Sequence, residues 1–398
     1  MTLDLSKIAS QIGDMALKIK SGSQERQEHL KCALNKLCEE GLNIEKLKRK
    51  VASARTPWPI AGLYEGLSLR YSAPQIPEEY TVLATDGSHI DVDRHRAARC
   101  YLINIGAVNL HYGASPSAQL ESLPYLFSDD KDLVIKNEQN KHRQQLIEGA
   151  LLDARRTVEE CKALARMASE LLAEGQTLAL MDGSLVLFSL ESFPDFVTED
   201  LLVKGFLKEL DELKQLSSSR RLTLASYISL PRSMDVANLI KIALCPQENV
   251  DCERFCTGDT SACEAVAGIN DRLLFSSLLE VGERSALFTN PSIIVEKHYR
   301  QHRVFFFYLK LEDEIARIEI PEWVARRQDL VEMTHALILD QCLRGQGYPV
   351  ALSEAHEKAV VTGADREEFW GLVEEALVKE KVPTYTSIKN RSKRTRWL

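Results

Sequence analysis

Tyr80-Thr81-Val82-Leu83-Ala84-Thr85-Asp86-Gly87-Ser88 is a short apolar, β-rich run that stops at Asp-Gly-Ser, and Leu178-Ala179-Leu180-Met181-Asp182-Gly183-Ser184 repeats the pattern later in the chain. Each run has the length and side-chain character of a buried strand. A carboxylate at the C-terminal end of a core strand stands at the rim of a sheet, where open α/β folds build their sites. A glycine beside it lets the backbone turn sharply and lets a ligand come close. One such Asp-Gly is as readily an ordinary turn. Two copies, each closing a buried strand, point to a paired site. If the two strands are neighbours, Asp86 and Asp182 converge, and carboxylates that close repel unless a cation stands between them. Carboxylate oxygens suit Mg²⁺ or Mn²⁺, which can activate a water and stabilise the oxygens of a phosphodiester displacement.

Working outward, Ala97–Val108 and a segment through Leu110 and Tyr112 read as further strands, and residues 118–140 as a polar loop or insertion. A helical pattern runs from about His142 to Ala173, with Leu151, Ala154, Val158, Cys161, Ala165, Ala168 and Leu172 on its apolar stripe and Gly175 as its cap. The strand at 178–181 follows. This β-β-β-α-β order matches the start of an RNase H-like fold, in which the first and fourth strands are adjacent. A helix over Glu199–Ser217, a strand over Leu222–Ile228, a hairpin from Arg303–Leu311 and Ile315–Ile320, and helices over Glu332–Cys342 and Arg366–Glu380 complete the pattern. Pro349 can open a helix that would carry His356. The expected architecture is α/β: an RNase H-like core, a mixed sheet flanked by helices, with helical N-terminal and C-terminal elaborations.

Ahead of the core, Leu5, Ile8, Ile12, Met15 and Ile19, then Leu30, Leu34, Leu37, Leu42 and Leu47, recur at helical spacing and read as helices packed on the core or on a partner. Pro57, Pro59, Pro74 and Pro77 mark the connection that follows. The expected organisation is a helical region and linker over 1–78, a catalytic domain over 79–380 with a Cys-rich insertion near 245–263, and a basic tail over 381–398. The tail holds Lys389, Arg391, Lys393, Arg394 and Arg396 before Trp397-Leu398, and reads as a solvated segment, a phosphate binder or a partner-docking end.

The chain has 398 residues, 44% hydrophobic and 27% charged, the profile of an ordinary globular protein. A net charge of -8 argues against a simple basic nucleic-acid coat. It leaves room for a nuclease, whose catalytic carboxylates are acidic and whose phosphate contacts are local. No apolar run reaches the roughly 20 residues of a membrane span, and the N-terminus lacks a secretory pattern. Nine cysteines without an export signal fit a reducing cytoplasm.

The ordered set Asp86-Gly87-Ser88, Asp182-Gly183-Ser184-Leu185, Tyr227-Ile228-Ser229-Leu230-Pro231-Arg232, Phe305–Leu309 with Ile315–Pro321, and Gly347-Tyr348-Pro349 followed by Ala355-His356 resembles the NurA nuclease family, from about residue 80 to 370. That resemblance implies a divalent-metal-dependent nuclease acting on DNA ends and single strands, as a 5′–3′ exonuclease, a single-strand endonuclease or both. It also implies a homodimer, a HerA-type hexameric translocase as partner, and a role in end resection or defence. By the same resemblance Asp86 and Asp182 are metal ligands, His356 is the late histidine of the site and Tyr348 the tyrosine before it. The family's helix glutamate falls on Glu159 or Glu160, with Glu160 favoured.

Arg232, Arg284 and Arg317 are candidate phosphate contacts, since guanidinium binds phosphate bidentately; a structural ion pair is the alternative, above all for Arg317. His89, Asp91, Asp93 and His95 read as a solvated hairpin tip or, less readily, a ligand cluster. Cys245, Cys252, Cys256 and Cys263, spaced C-x6-C-x3-C-x6-C, could hold structural Zn²⁺ or an iron–sulfur cluster, or be reduced thiols. Cys32, Cys38, Cys100, Cys161 and Cys342 read as small apolar fillers. Two rival functions share these features. An ATPase of the actin and sugar-kinase type also places Asp-Gly-Ser turns after strands, but the late Gly-Gly loop it needs is not found. A catalytically silent scaffold for DNA or a motor is the other.

Overall fold

The computed structural model describes residues 5–39, 43–93, 96, 98–171, 175–256 and 261–382. The chain divides into two compact units. One comprises Met1–Ala73, Ser229–Ser292 and Phe305–Arg317; the other comprises Pro74–Ile228, Ile293–Val304 and Ile318–Leu398.

The second unit, here the core unit, is built on five strands: β1 (Tyr80–Ile90), β2 (Tyr101–Tyr112), β3 (Ser117–Phe127), β4 (Gln176–Asp182) and β5 (Leu222–Ile228). Their spatial order is β3-β2-β1-β4-β5. β1 pairs antiparallel with β2 and parallel with β4, and β4 pairs parallel with β5. This mixed sheet has the order and polarity of an RNase H-like core, with the first and fourth strands adjacent as the sequence predicts. The register Thr85↔Met181 leaves Asp86 and Asp182 side by side where the pairing of β1 with β4 ends; β4 stops at Asp182, but β1 does not stop at Asp86-Gly87-Ser88 as the sequence suggests and runs on beside β2 to Ile90.

Helices cover both faces. Helix α1 (Ala150–Glu170) lays Leu151, Leu152, Val158, Cys161, Leu164 and Ala168 against Leu83, Ile103, Ile105, Ala179, Met181 and Leu224. Helix α2 (Leu207–Ser219) joins that core through Leu210 and Leu213. It continues from Asp195–Thr198 through a π-helical stretch at Glu199–Phe206, so the single predicted helix starts earlier and carries an irregular turn. Across the sheet lie α3 (Gln328–Arg344), whose Thr334 hydroxyl meets that of Thr223 in β5 at 2.7 Å, and α4 (Val350–Ala359), opened by Pro349 as expected. Helix α5 (Gly363–Lys379) follows, with Thr362 and Asp365 forming a reciprocal cap.

Two expectations fail in instructive places. The segment read as two strands over 97–112 is the single strand β2, and the third strand lies in the stretch read as a polar loop. β3 is the last strand in the sheet order; its apolar alternation is confined to Leu123, Tyr125 and Phe127, which pack on the core, and Ser117–Ser122 ahead of them is mostly exposed. The predicted long helix starts at Ala150, because Gln144–Leu146 pairs with Val134–Lys136 in a small hairpin. It ends at Glu170, ahead of the expected Gly175 cap.

In the other unit, helices Ser23–Leu37, Ile44–Ala52, Asp235–Leu244 and Asp271–Leu278 enclose an apolar core with Phe288, Phe306 and Tyr308. Asp271, fully buried, accepts hydrogen bonds from Val236 N, Ala237 N and the Tyr308 hydroxyl. The predicted hairpin forms strands Val304–Lys310 and Ile315–Pro321, joined by a turn in which Leu311 N donates to Glu314 O at 2.9 Å. Helix Ala9–Ser21 forms as read, but Ile12, Met15 and Ile19 are more than half exposed, so its stripe is not buried on a core. Among the described residues no helix is long and apolar enough to cross a membrane. The basic tail lies outside the described residues.

Candidate active site

Asp86 lies within β1, just past the last residue paired to β4, and the strand continues beside β2 to Ile90. Its Oδ1 accepts from Gly87 N at 2.8 Å, and its Oδ2 lies 2.8 Å from His356 Nδ1 on α4. The approach of α4 is permitted by Gly106, the partner of Asp86 in β2. A Cβ there would stand 1.9 Å from Ala355 O. Any side chain at 106 would push α4, and His356 with it, off the sheet. The C-terminal end of α4 is then pinned: Asn104 Nδ2 donates to Lys358 O and Ala359 O, each at 3.0 Å, and the Ser88 hydroxyl donates to Ala359 O. Ser88 of the first motif is thus a structural anchor for the helix that brings the histidine.

Asp182 ends β4 on the neighbouring strand. The Tyr348 hydroxyl donates to its Oδ1 at 3.1 Å, and the Tyr348 ring meets Tyr227 of β5 edge-on at 5.3 Å. Burial raises the Asp182 carboxyl above its ordinary range and Asp86 beside it adds to the rise, while the Tyr348 bond opposes it. Burial likewise raises the Tyr348 phenol, with Asp182 adding to it. Ser184, in the second motif, turns away to donate to Glu319 Oε2 at 2.7 Å, and Leu185 N donates to the same oxygen at 3.0 Å. Glu319 therefore clamps the loop after β4, a role the sequence did not reveal. Its one signal was a lone charge between Ile318 and Ile320.

Glu160 reaches the same place from α1. It is buried, and Thr85 Oγ1 donates to its backbone carbonyl at 3.2 Å. Gly87 provides the room: a Cβ there would lie 2.5 Å from Glu160 Oε1. Burial pushes the Glu160 carboxyl up to about 8; Arg156 pulls against this, and the charges of Asp86 and Asp182 push further. Glu159, also buried, instead pairs with Arg155 at 2.9 Å and Lys162 at 3.7 Å. Of the two candidate glutamates, Glu160 is the one that shares the field of both aspartates.

Asp86, Asp182, Glu160, Tyr348 and His356 are thus brought together, from two strands, two helices and a turn well separated in sequence. The set suits a hard divalent cation. Its donors are carboxylate oxygens with one imidazole, its carboxylates raise one another's proton affinity, and Glu160 Oε1 is buried without a hydrogen bond. Among the described residues, though, no three His, Cys, Asp or Glu side chains stand in a preformed metal cage. Asp86 leans on His356, Asp182 on Tyr348 and Glu160 on Arg156, so the arrangement is a carboxylate cluster with each member held by a neighbour.

Other candidates are placed elsewhere. Arg232 is exposed. Arg284 is 1% exposed, stacked 3.8 Å over the Tyr71 ring with Nη1 donating to Ser285 O. Arg317 is 4% exposed, paired to Asp235 at 2.7 Å and set 3.6 Å over Phe306. Both are core cations, and burial removes them as phosphate contacts. Asp93 pairs with Arg96, and Asp91 lies near His89 and Arg366; these fit the hairpin-tip reading, and His95 lies outside the described residues. The four clustered cysteines are free thiols, and Cys245, Cys256 and Cys263 line one pocket. Burial pushes Cys252 up to about 11, with Cys256, Cys263 and Cys245 adding to it. Cys245 and Cys252 pack against their unit's apolar core and Cys256 is exposed, and among the described residues the cysteines do not stand in a preformed metal cage.

A sheet of this order, carrying carboxylates where the pairing of its two central parallel strands ends, is the frame of RNase H-like nucleases. The NurA domain matches residues 80–361, and the chain belongs to the NurA family of nucleases. A solved structure described as "Crystal structure of NurA with manganese" is similar at 12% identity, covering 93% of this chain and 98% of that one with a TM-score of 0.41. Among curated proteins none matches.

Proposed function

We propose that this chain is a divalent-metal-dependent deoxyribonuclease that cleaves phosphodiester bonds at DNA ends or in single strands. The observation that carries the reading is the convergence of Asp86, Asp182 and Glu160, with His356 and Tyr348, at the rim of a nuclease-family core. Asp86, Asp182 and Glu160 would hold one or two Mn²⁺ or Mg²⁺ ions, with His356 at the edge. A bound ion supplies an activated water and offsets charge on the phosphate oxygens.

The protein's own groups do the positioning. The Tyr348 hydroxyl fixes the Asp182 carboxylate, and the ring contact with Tyr227 fixes Tyr348. His356 orients Asp86 through Nδ1, and its side chain is otherwise exposed. Exposed Arg232 is a candidate phosphate contact. The family likeness extends the proposal to a homodimer working in the cytoplasm with a HerA-type hexameric ATPase, in DNA end processing or defence, with 5′–3′ exonuclease activity, single-strand endonuclease activity or both.

The test is cleavage of end-labelled single- and double-stranded DNA with Mn²⁺, comparing wild type with Asp86→Ala and Asp182→Ala. Each folded variant should lose at least about two orders of magnitude in rate. Cutting that survives both substitutions places the site elsewhere. A wild type that does not cut, even with a HerA-type partner present, points to the silent scaffold.

A further inference from the structure

We infer that Arg156 contacts a DNA phosphate at this site; the assignment rests on the nuclease reading above. Arg156 lies one helical turn before Glu160 on α1, with Nε 3.1 Å from Glu160 Oε1. Its stem lies against the Asp86-Gly87-Ser88 stretch of β1, since a Cβ on Gly87 would sit 2.9 Å from Arg156 Cγ and 3.2 Å from Cδ. The guanidinium is therefore held at the mouth of the carboxylate cluster, and its side chain is 30% exposed.

The donors of this guanidinium are largely unspent. Nε is buried and, despite its closeness to Glu160, makes no hydrogen bond of acceptable geometry. Nη1 approaches only Asp153, at 3.9 Å. No contact of Nη2 is seen among the described residues. A group needed only to balance Glu160 could be a lysine, whose compact charge needs no fork. A planar fork with idle donors, fixed beside carboxylates suited to a cation, matches the two non-bridging oxygens of a phosphodiester. The ligand class is a nucleic-acid phosphate, recognised without regard to base. Arg156 would approach that phosphate from the α1 side of the sheet, opposite α4 and His356.

The experiment measures binding of the full-length protein to a fluorescent single-stranded oligonucleotide in Ca²⁺ across a salt series, for wild type, Arg156→Ala and Arg156→Lys. Mn²⁺ affinity and Mn²⁺-dependent cleavage are measured in parallel. Arg156→Ala should weaken binding several-fold and lower the slope of log affinity against log salt by about 0.7, the loss of one phosphate contact on a single strand. Arg156→Lys, which keeps the charge but not the fork, should keep the slope and Mn²⁺ affinity yet cleave at least about tenfold more slowly. Wild-type affinity and slope in a folded Arg156→Ala protein would overturn the assignment. If that variant does not fold, wild-type kcat and KM in Arg156→Lys overturn it instead. Binding is read without turnover, so the two ideas fail separately. A wild type that never cuts sinks the nuclease reading, whereas a cutting wild type matched by Arg156→Ala in slope and affinity sinks only the arginine.

Discussion

Replacing Gly106 with alanine should damage the site without touching any residue in it. Gly106 faces the backbone of α4, and the new Cβ would start 1.9 Å from Ala355 O, 2.7 Å from Ala359 N and 2.9 Å from Ala355 C. None of these is the free end of a side chain, so the relief must come from the helix itself. Opening the shortest approach to an ordinary contact of 3.4 Å displaces α4 by about 1.5 Å. His356 Nδ1 now stands 2.8 Å from Asp86 Oδ2, and half that displacement carries it out of hydrogen-bonding range. Overpacking of this kind costs about 1–3 kcal/mol. Urea unfolding should show a loss of that size, and DNA cleavage at a temperature where the variant is still folded should fall further than the folded fraction explains. Gly371→Ala is the control: an added Cβ there meets nothing within 4 Å, and helix propensity predicts a gain of up to about 1 kcal/mol. If Gly106→Ala unfolds at the wild-type midpoint and cuts DNA at the wild-type rate, the argument that this glycine seats the histidine helix is wrong.

Glu160 and Tyr348 give predictions that depend on pH. The folded state raises the Glu160 carboxyl from 4.5 to about 8, so this group costs no stability below about pH 4.5, its cost grows as pH rises through that interval, and it is complete above about pH 8. Glu160→Gln should therefore raise the unfolding midpoint of the metal-free protein near pH 9 and leave it unchanged near pH 4; equal midpoints at both would refute the shift. At pH 7, adding Mn²⁺ to wild type should release close to one proton, read as buffer-dependent heat in calorimetry, and clearly less in Glu160→Gln. Tyr348→Phe removes a donor that holds the Asp182 carboxyl down, so the acid limb of the pH–rate profile should move to higher pH. An acid limb that stays in place would show that the hydroxyl does not act through Asp182.

The parts of the fold that sequence made legible are those with a local physical signature. The apolar runs of β1 and β4 are visible without any tertiary knowledge, although only β4 ends at its Asp-Gly-Ser and β1 runs through its own to Ile90. β3 was not legible, because its apolar alternation is confined to Leu123, Tyr125 and Phe127, too short a stretch to stand out beside the polar, exposed residues ahead of it. Arg284 was misread for a related reason, while Arg317 takes the structural ion pair that its sequence context left open. Their burial is created by aromatic rings at Tyr71 and Phe306, distant in sequence, and an arginine stacked in a core looks the same on paper as one awaiting a phosphate. His356 and Tyr348 were found through family likeness, since neither residue alone marks a site. Arg156 was within reach, as its i, i+4 spacing to Glu160 is a standard helical pair. Gly106 was not, because its requirement comes from α4, which follows it only after most of the core unit has been laid down.

That last separation has a consequence for biosynthesis. The central strand β1 emerges early from the ribosome, but its parallel neighbour β4 comes much later, and the helix that seats His356 later still. Pairings so distant in sequence form slowly, and the strand edges stay open until they do. A chain interrupted before Tyr348 would carry all three carboxylates and neither the tyrosine nor the histidine that hold two of them. For an enzyme that would act on the cell's own DNA, this order of synthesis delays assembly of the full site until nearly all of the domain has been made.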